Sequence, residues 1–281
     1  MTLPKVLLLH GPLNSVGTNL IVQRFYPDPV ERKRSWAAFN CEQNIIALSV
    51  TFRALGFKIC YSGWNEDRAW LEANSGLFDN LVIVDQSGLK EESMFVGRAV
   101  PNNKEKFYYS AWQGLCEIER ATGSDALVFR LRSDIAVRPD LAAAELDKVH
   151  PGSGRLMIEY LNAANMLAVP DFMLAGELRV MKTIYGDMFQ RSRAGEDFHI
   201  SSHIDHSLTY ILLQQAGLVG EIQCMGRLLY DSMVWRGIPR YFEQTVAGAD
   251  AQQLVFDALL AVPPGFDVHA QVRGAAPPAV S

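Results

Sequence analysis

The chain has 281 residues, 49% of them hydrophobic and 20% charged, which is too long for one small core and fits one large α/β domain. A formal net charge of -5 argues against general nucleic-acid binding, which needs cationic surface to displace counterions from phosphates. No apolar stretch approaches the ~20 residues of a membrane span, and the short run before Gly11 and Pro12 is too brief for a signal peptide, so a cytoplasmic protein is expected, with peripheral contact at the inner face of the membrane left open.

Residues 5–10, KVLLLH, read as a buried first strand. Gly11 and Pro12 follow, then a polar turn at Asn14 and Ser15 that can bring backbone close to a ligand; this is neither GxGxxG nor a Walker loop. Residues 26–34 are polar, contain Pro27 and Pro29, and read as a loop ending in the short mixed run Glu31-Arg32-Lys33-Arg34. Across residues 36–55, Ile45, Leu48, Phe52 and Leu55 recur at helical spacing, and Gly56 stands where that helix should stop. A second strand is expected over residues 58–62, running into Gly63-Trp64-Asn65-Glu66, and a third over residues 81–84, ending in Asp85. Three apolar runs that each end in glycine or polar residues are the repeated βα pattern of a parallel sheet with its site along one rim.

Residues 102–120 form an amphipathic helix from Lys104 on, with Phe107, Trp112, Leu115 and Ile118 facing a core. Asn102, Asn103 and Lys104 stand before or in its first turn, within reach of a nucleotide. Residues 126–137, ALVFRLRSDIAV, then begin as a buried strand and end in charge. A helix over residues 139–149 has Pro139 in its first turn and Asp140 near its positive end. Residues 155–161 read as a strand, residues 169–173 as a short apolar segment around Asp171, and residues 178–189 as a helix. Residues 195–217 hold most of the histidines, with a helix from about Ile204 that buries Leu208, Ile211 and Leu212 and stops at Gly217. Residues 220–230 give a late strand and turn, and residues 262–281, rich in Pro, Gly and Ala, read as a poorly ordered tail. The pattern gives one domain over residues 1–261, with two halves that divide at about residue 137 (a nucleotide-binding half and an acceptor half, as the family resemblance described below implies). Cys41, Cys60, Cys116 and Cys224 lack CxxC or zinc-finger spacing, and each sits among apolar neighbours, so buried free thiols in a reducing compartment are expected.

In an open α/β sheet, ligands bind beyond the carboxyl ends of the strands. Asp134 stands there, next to Arg130 and Arg132: a carboxylate for Mg²⁺ or Mn²⁺ and planar forks for a diphosphate. The alternative is a strand end whose arginines pair with nearby acids. Asp171 is either a base with a pKa raised by burial or a helix N-cap. Glu196 and Asp197 are either an ordinary helix-start pair or a base beside an acceptor groove. His199, His203 and His206, spaced four and three apart, share a helical face with zinc-like spacing but lack the HExxH glutamate; contact with a ligand or a helix cap suits them better. No GxSxG elbow supports a serine hydrolase.

The order His10-Gly11-Pro12, Tyr61-Ser62-Gly63-Trp64, Asn102-Asn103, Trp112-Gln113-Gly114-Leu115 and then RLRSD resembles the WavE-type lipopolysaccharide synthesis proteins, which look like glycosyltransferases of the GT-A fold. The resemblance spans roughly residues 6–176, with VPDFMLAG similar to that family's later acidic segment. It implies a GT-A-like, Rossmann-like α/β domain with a mostly parallel sheet flanked by helices, and transfer of a sugar from a nucleotide-sugar to a saccharide or glycolipid acceptor in surface polysaccharide assembly. Ser133-Asp134 then stands in place of an Asp-x-Asp metal motif, with Arg132 where that motif has an acid. On this reading the base lies near Gly11, Pro12 and Asp85, Asn102 and Asn103 approach the donor, Arg130, Arg132 and Asp134 meet the diphosphate, and Glu196, Asp197 or Asp171 deprotonates the acceptor. A non-catalytic nucleotide- or carbohydrate-binding protein on the same fold is the alternative, and a zinc hydrolase built on the histidines a third. The transferase reading requires Asp134 to face a cleft; in an ion pair beneath the surface it would leave the layered fold alone standing.

Overall fold

Unbroken apolar runs such as Val6-Leu7-Leu8-Leu9 need cover on both faces of a sheet. The computed structural model, which describes residues 3–17, 37–95, 97–159, 172–196, 222–236 and 238–239, provides that cover. Its first half contains β1 (Lys5–His10), β2 (Asn14–Gly17), β3 (Ala37–Asn40), α1 (Glu42–Ala54), β4 (Lys58–Trp64), α2 (Arg68–Ala73), β5 (Asn80–Val84), β6 (Glu92–Phe95), β7 (Arg98–Pro101) and α3 (Lys104–Thr122). The second half contains β8 (Leu127–Arg132), β9 (Ile135–Ala136), α4 (Pro139–Leu146), β10 (Leu156–Ile158), β11 (Met173–Glu177), α5 (Leu178–Ala194), β12 (Ile222–Cys224), α6 (Arg227–Asp231), β13 (Val234–Trp235) and β14 (Ile238–Pro239).

Seven strands form the central sheet in the order β12-β10-β11-β8-β1-β4-β5. Every neighbouring pair is parallel except the two that involve β11, which runs against β8 and β10. Alternate strand residues sort to the two faces. Leu7, Leu9, Phe129, Leu131 and Met157 pack with Ile45, Leu48 and Phe52 of α1 and Ala142 and Leu146 of α4. Val6, Leu8, Val128, Leu156 and Ile158 pack with Ala111 and Leu115 of α3 and Met181 and Ile184 of α5. This is the mostly parallel, helix-flanked α/β sheet expected from the sequence. α3 sits close to the sheet because Gly114 has no side chain: a Cβ there would lie 2.5 Å from Leu8 Cδ1 and 3.2 Å from Ser62 Cβ.

The chain winds from β1 outward through β4 to β5, then returns to the other side of β1 as β8. That reversal puts the topological switch point at the carboxyl ends of β1 and β8, the place where such sheets bind ligands.

Three local expectations change. The helix expected over residues 36–55 starts only at Glu42, because Ala37–Asn40 pairs as β3 with β2, a non-local partner that periodicity cannot reveal. β4 continues through Gly63 and Trp64, which pair with Ile83 and Val84 of β5 and so belong to a strand, not a turn. The β6–β7 hairpin was not anticipated. Gly56 does end α1, with φ of 84°. Cys41 and Cys60 are buried free thiols as expected, whereas Cys116 and Cys224 are only half-buried. No helix among the described residues is long and apolar enough to cross a membrane. Residues 26–34, the histidine segment with His199, His203 and His206, and the tail at residues 262–281 lie outside the described residues.

Candidate functional site at the β1–β8 rim

β1 and β8 end side by side, and the turns that follow are tied together. Ser133 N–H donates to the His10 carbonyl (2.9 Å), and Ser133 Oγ donates to the Pro12 carbonyl (2.9 Å). Gly11 has φ of 123°, and a Cβ there would lie 2.8 Å from Ser133 Oγ, so glycine is needed for both conformation and space. From α1, Asn44 Nδ2 donates to the carbonyls of Ser133 (2.7 Å) and Ile135 (2.9 Å), holding the turn from both sides of Asp134.

Asp134 is 3% exposed. Its Oδ1 accepts from Arg132 Nε (2.9 Å), while Oδ2 accepts from Arg132 Nη2 (2.8 Å), Ser15 Oγ (2.8 Å), Arg236 Nε (3.0 Å) and Trp235 Nε1 (3.3 Å). The chain also closes on it from β13, since Arg236 N–H donates to the Asp134 carbonyl (2.9 Å) and Arg236 adopts φ of 49°. Burial pushes the Asp134 carboxyl up, but the charges of Arg132 and Arg236 and the hydrogen bonds from Arg132 and Ser15 outweigh it and hold the pKa at about 2. Burial lowers the pKa of Arg236 against the pull of Asp134. Arg132 lies over Phe172 (5.3 Å) and Arg236 over Trp235 (5.1 Å), so each guanidinium is also placed by an aromatic ring.

Asp134 therefore does not face a cleft as a bare metal ligand: it is ion-paired beneath the surface. A divalent cation fits these residues poorly. The two carboxylate oxygens already accept five hydrogen bonds, from Arg132, Ser15, Arg236 and Trp235, and are sealed from solvent, so they offer no open face to a cation. Among the described residues, no group of three or more His, Cys, Asp or Glu side chains is placed to hold a metal. The expected fold is present, and of the two expected arginines Arg132 meets Asp134 at the strand end.

Arg130 also departs from its expected role. Two residues before Arg132 on the same face of β8, it lies about 6.6 Å deeper beneath the rim, at roughly 3.3 Å per residue. It is fully buried between Phe107 (5.2 Å) and Tyr185 (5.5 Å). Its Nη1 lies 3.4 Å from His10 Nε2 and 3.4 Å from the Phe172 carbonyl. His10 Nδ1 is 2.9 Å from Ser110 Oγ, whose own hydroxyl donates to the Phe107 carbonyl (3.1 Å). Ser110 therefore accepts from Nδ1–H, which leaves Nε2 as the acceptor for Arg130.

The other candidates are dispersed. Asp85 follows edge strand β5, exposed, and accepts from Ser87 N–H (2.8 Å) and Ser87 Oγ (2.7 Å); those bonds hold its carboxyl below the usual range. Asn102 donates to Ser93 Oγ of β6 (2.7 Å) and accepts from Lys104 N–H at the start of α3 (3.0 Å). Asn103, the N-cap residue of α3, is exposed and makes no side-chain cap bond. Glu196 is exposed and paired with Arg191 (3.0 Å) just past the end of α5. Asp171 and Asp197 lie outside the described residues.

Sequence reasoning missed Ser15, Trp235, Arg236 and His10. Ser15 and His10 sat in segments already singled out, but nothing in sequence links Arg236 to Asp134 across 102 residues. It also missed Asp67, which accepts from Leu13 N–H (3.0 Å) and has its pKa raised by burial against that bond.

No protein-family model matches the sequence, and no curated protein does. Among solved structures the chain is similar to 4-diphosphocytidyl-2C-methyl-D-erythritol synthase from Anaerococcus prevotii, at TM-score 0.40 and 10% identity over 91% of this chain and 96% of that one. It is also similar to mannose-1-phosphate geranyltransferase from Thermus thermophilus, at TM-score 0.37 and 9% identity over 69% and 68% of the two chains. Likeness at this level carries no argument about activity, and the architecture rests on the chain's own strand order.

Proposed function

We propose that this protein is a nucleotide-sugar-dependent glycosyltransferase of the GT-A type, acting on a saccharide or glycolipid acceptor in surface polysaccharide assembly. The buried ion pair removes the form of this reading that rested on Asp134 facing a cleft. What supports the revised form is the position of Arg132 at the carboxyl ends of β1 and β8, where the winding of the sheet reverses. The pathway comes from the WavE-type resemblance alone.

In the proposed reaction the bond from the anomeric carbon to the β-phosphate oxygen breaks, and its electron pair leaves with the nucleoside diphosphate. The acceptor oxygen bonds to the anomeric carbon, and its proton passes to a carboxylate, for which Asp171, Asp197 and Glu196 are the candidates. Arg132 opposes the charge that builds on the departing diphosphate, the kind of electrostatic stabilisation that dominates many transfers. Asn102, Asn103 and Asp85 remain candidates for contacts to the donor.

The Asp134 ion pair also favours a second reading, a nucleotide- or carbohydrate-binding protein without catalysis, because the carboxylate is unavailable to the chemistry. The two separate by experiment. Purified protein is screened by thermal shift against UDP, GDP, CMP and dTDP, and the corresponding sugar nucleotide is then incubated with it while free nucleotide is measured. Nucleotide-induced stabilisation with sugar release or transfer supports the transferase. Stabilisation with no turnover on any donor supports the binding protein, and no shift with any nucleotide removes both.

A further inference from the structure

Resting on the reading that this protein binds a nucleotide, we propose that Arg236 is an autoinhibitory latch: its side chain covers Asp134 and Ser15 at the switch point and must swing away before a nucleotide binds there. The carboxyl ends of β1 and β8 are where a sheet of this winding takes its ligand. In this structure the protein fills that place itself. Arg236 Nε donates to Asp134 Oδ2 (3.0 Å) and Arg236 Nη2 donates to Ser15 Oγ (2.9 Å), while Ser15 Oγ donates to Asp134 Oδ2 (2.8 Å). Asp134 and Ser15 are both buried, and the Arg236 side chain over them is only 11% exposed. A ligand therefore reaches neither polar group while the arginine stays.

The boundary between fixed and movable parts falls at Arg236. The pairing of β13 with β9 ends at Trp235 and Ile135, and Trp235 is buried against Phe172 with ring centroids 5.2 Å apart. Arg236 is the next residue. With φ of 49° it is the one non-glycine in the left-handed region among the described residues. Such a conformation persists only where surrounding contacts hold it, and it recurs in ligand clamps and switches. Its guanidinium is also held at a cost, since burial lowers its pKa against the attraction of Asp134. Release does not strand the acid. Arg132 still donates to both oxygens of Asp134 (2.9 and 2.8 Å), and Trp235 Nε1 still donates to Oδ2 (3.3 Å). A contact that is strained, desolvated and replaceable at its acceptor is suited to opening.

The test is calorimetric titration of UDP, GDP, CDP and dTDP into the full chain, wild type and Arg236→Gly. Glycine removes the latch and accepts the positive φ without strain. A latch that is mostly closed lowers the apparent affinity by the fraction open, so the variant should bind at least one nucleotide about threefold or more tightly than the wild type. Equal or weaker binding by the variant overturns the latch and leaves the nucleotide reading intact. Absence of binding by both proteins removes that reading and this inference together. A second measurement uses wild-type protein and so does not depend on the variant folding. Trypsin cuts after arginine, and cleavage between Arg236 and Gly237, followed by mass spectrometry, tracks the open population. Saturating nucleotide should speed that cut about threefold or more, the reverse of ordinary protection by a ligand. An unchanged or slower cut in the presence of bound nucleotide overturns the latch.

Discussion

Replacing Asp134 by asparagine keeps the shape of the side chain and removes its charge, leaving Arg132 and Arg236 at hydrogen-bond distance from a neutral amide. A carboxyl moved from its ordinary 3.8 to about 2 contributes on the order of 2 kcal/mol. Breaking a buried pair by removing one partner costs more, about 3–5 kcal/mol, because the remaining charges are left uncompensated. The first figure counts only the preference for the ionised form, and the second adds the stranded arginines. These arginines keep some contact with water, so we expect a loss of about 3 kcal/mol at pH 7. With a urea dependence of about 3 kcal/mol per molar, the unfolding midpoint should fall by about 1 M. The pH dependence has a definite sign. Because the folded carboxyl is depressed, its contribution is full above the unfolded value near 3.8 and is lost as pH falls through about 2. The gap between wild type and Asp134→Asn should therefore narrow steadily below pH 4. A variant within 0.5 kcal/mol of wild type at pH 7, on the order of an ordinary surface change, or a gap that stays constant down to pH 2.5, would refute the reasoning.

Gly114→Ala should destabilise the protein by about 1–3 kcal/mol despite alanine's better helix propensity, because its methyl meets Leu8 and Ser62; urea denaturation measures it, and pairing with Leu8→Ala should recover part of the loss of Gly114→Ala. The Cys41 thiol is pushed up to about 12 by burial and by the charge of Asp134, so it should resist alkylation at pH 8 in the folded protein and react only after unfolding, as mass spectrometry of iodoacetamide-treated protein would report.

Much of the layered fold was legible from the chain because burial leaves local marks. The apolar runs of β1 and β8, the stop at Gly56 and the apolar face of α3 each reflect one element meeting a core, and each is written within a few consecutive residues. The position of the rim followed in the same way, from strands that end in glycine or charge. β3 was lost because its pairing with β2 overrides the helical spacing that begins a few residues later.

By itself, then, the sequence determined the buried strands β1 and β8 and the helices α1 and α3, and that Arg132, Ser133 and Asp134 close a central strand. Tertiary structure alone decided what Asp134 does. The same aspartate would suit a metal if it faced solvent, but Ser15, Trp235 and Arg236 arrive from segments up to 119 residues away and turn it into the anchor of an arginine pair. Local pattern reports a residue's preference for burial or exposure; the charge it meets is set by whichever distant segment packs beside it, and that depends on the whole fold.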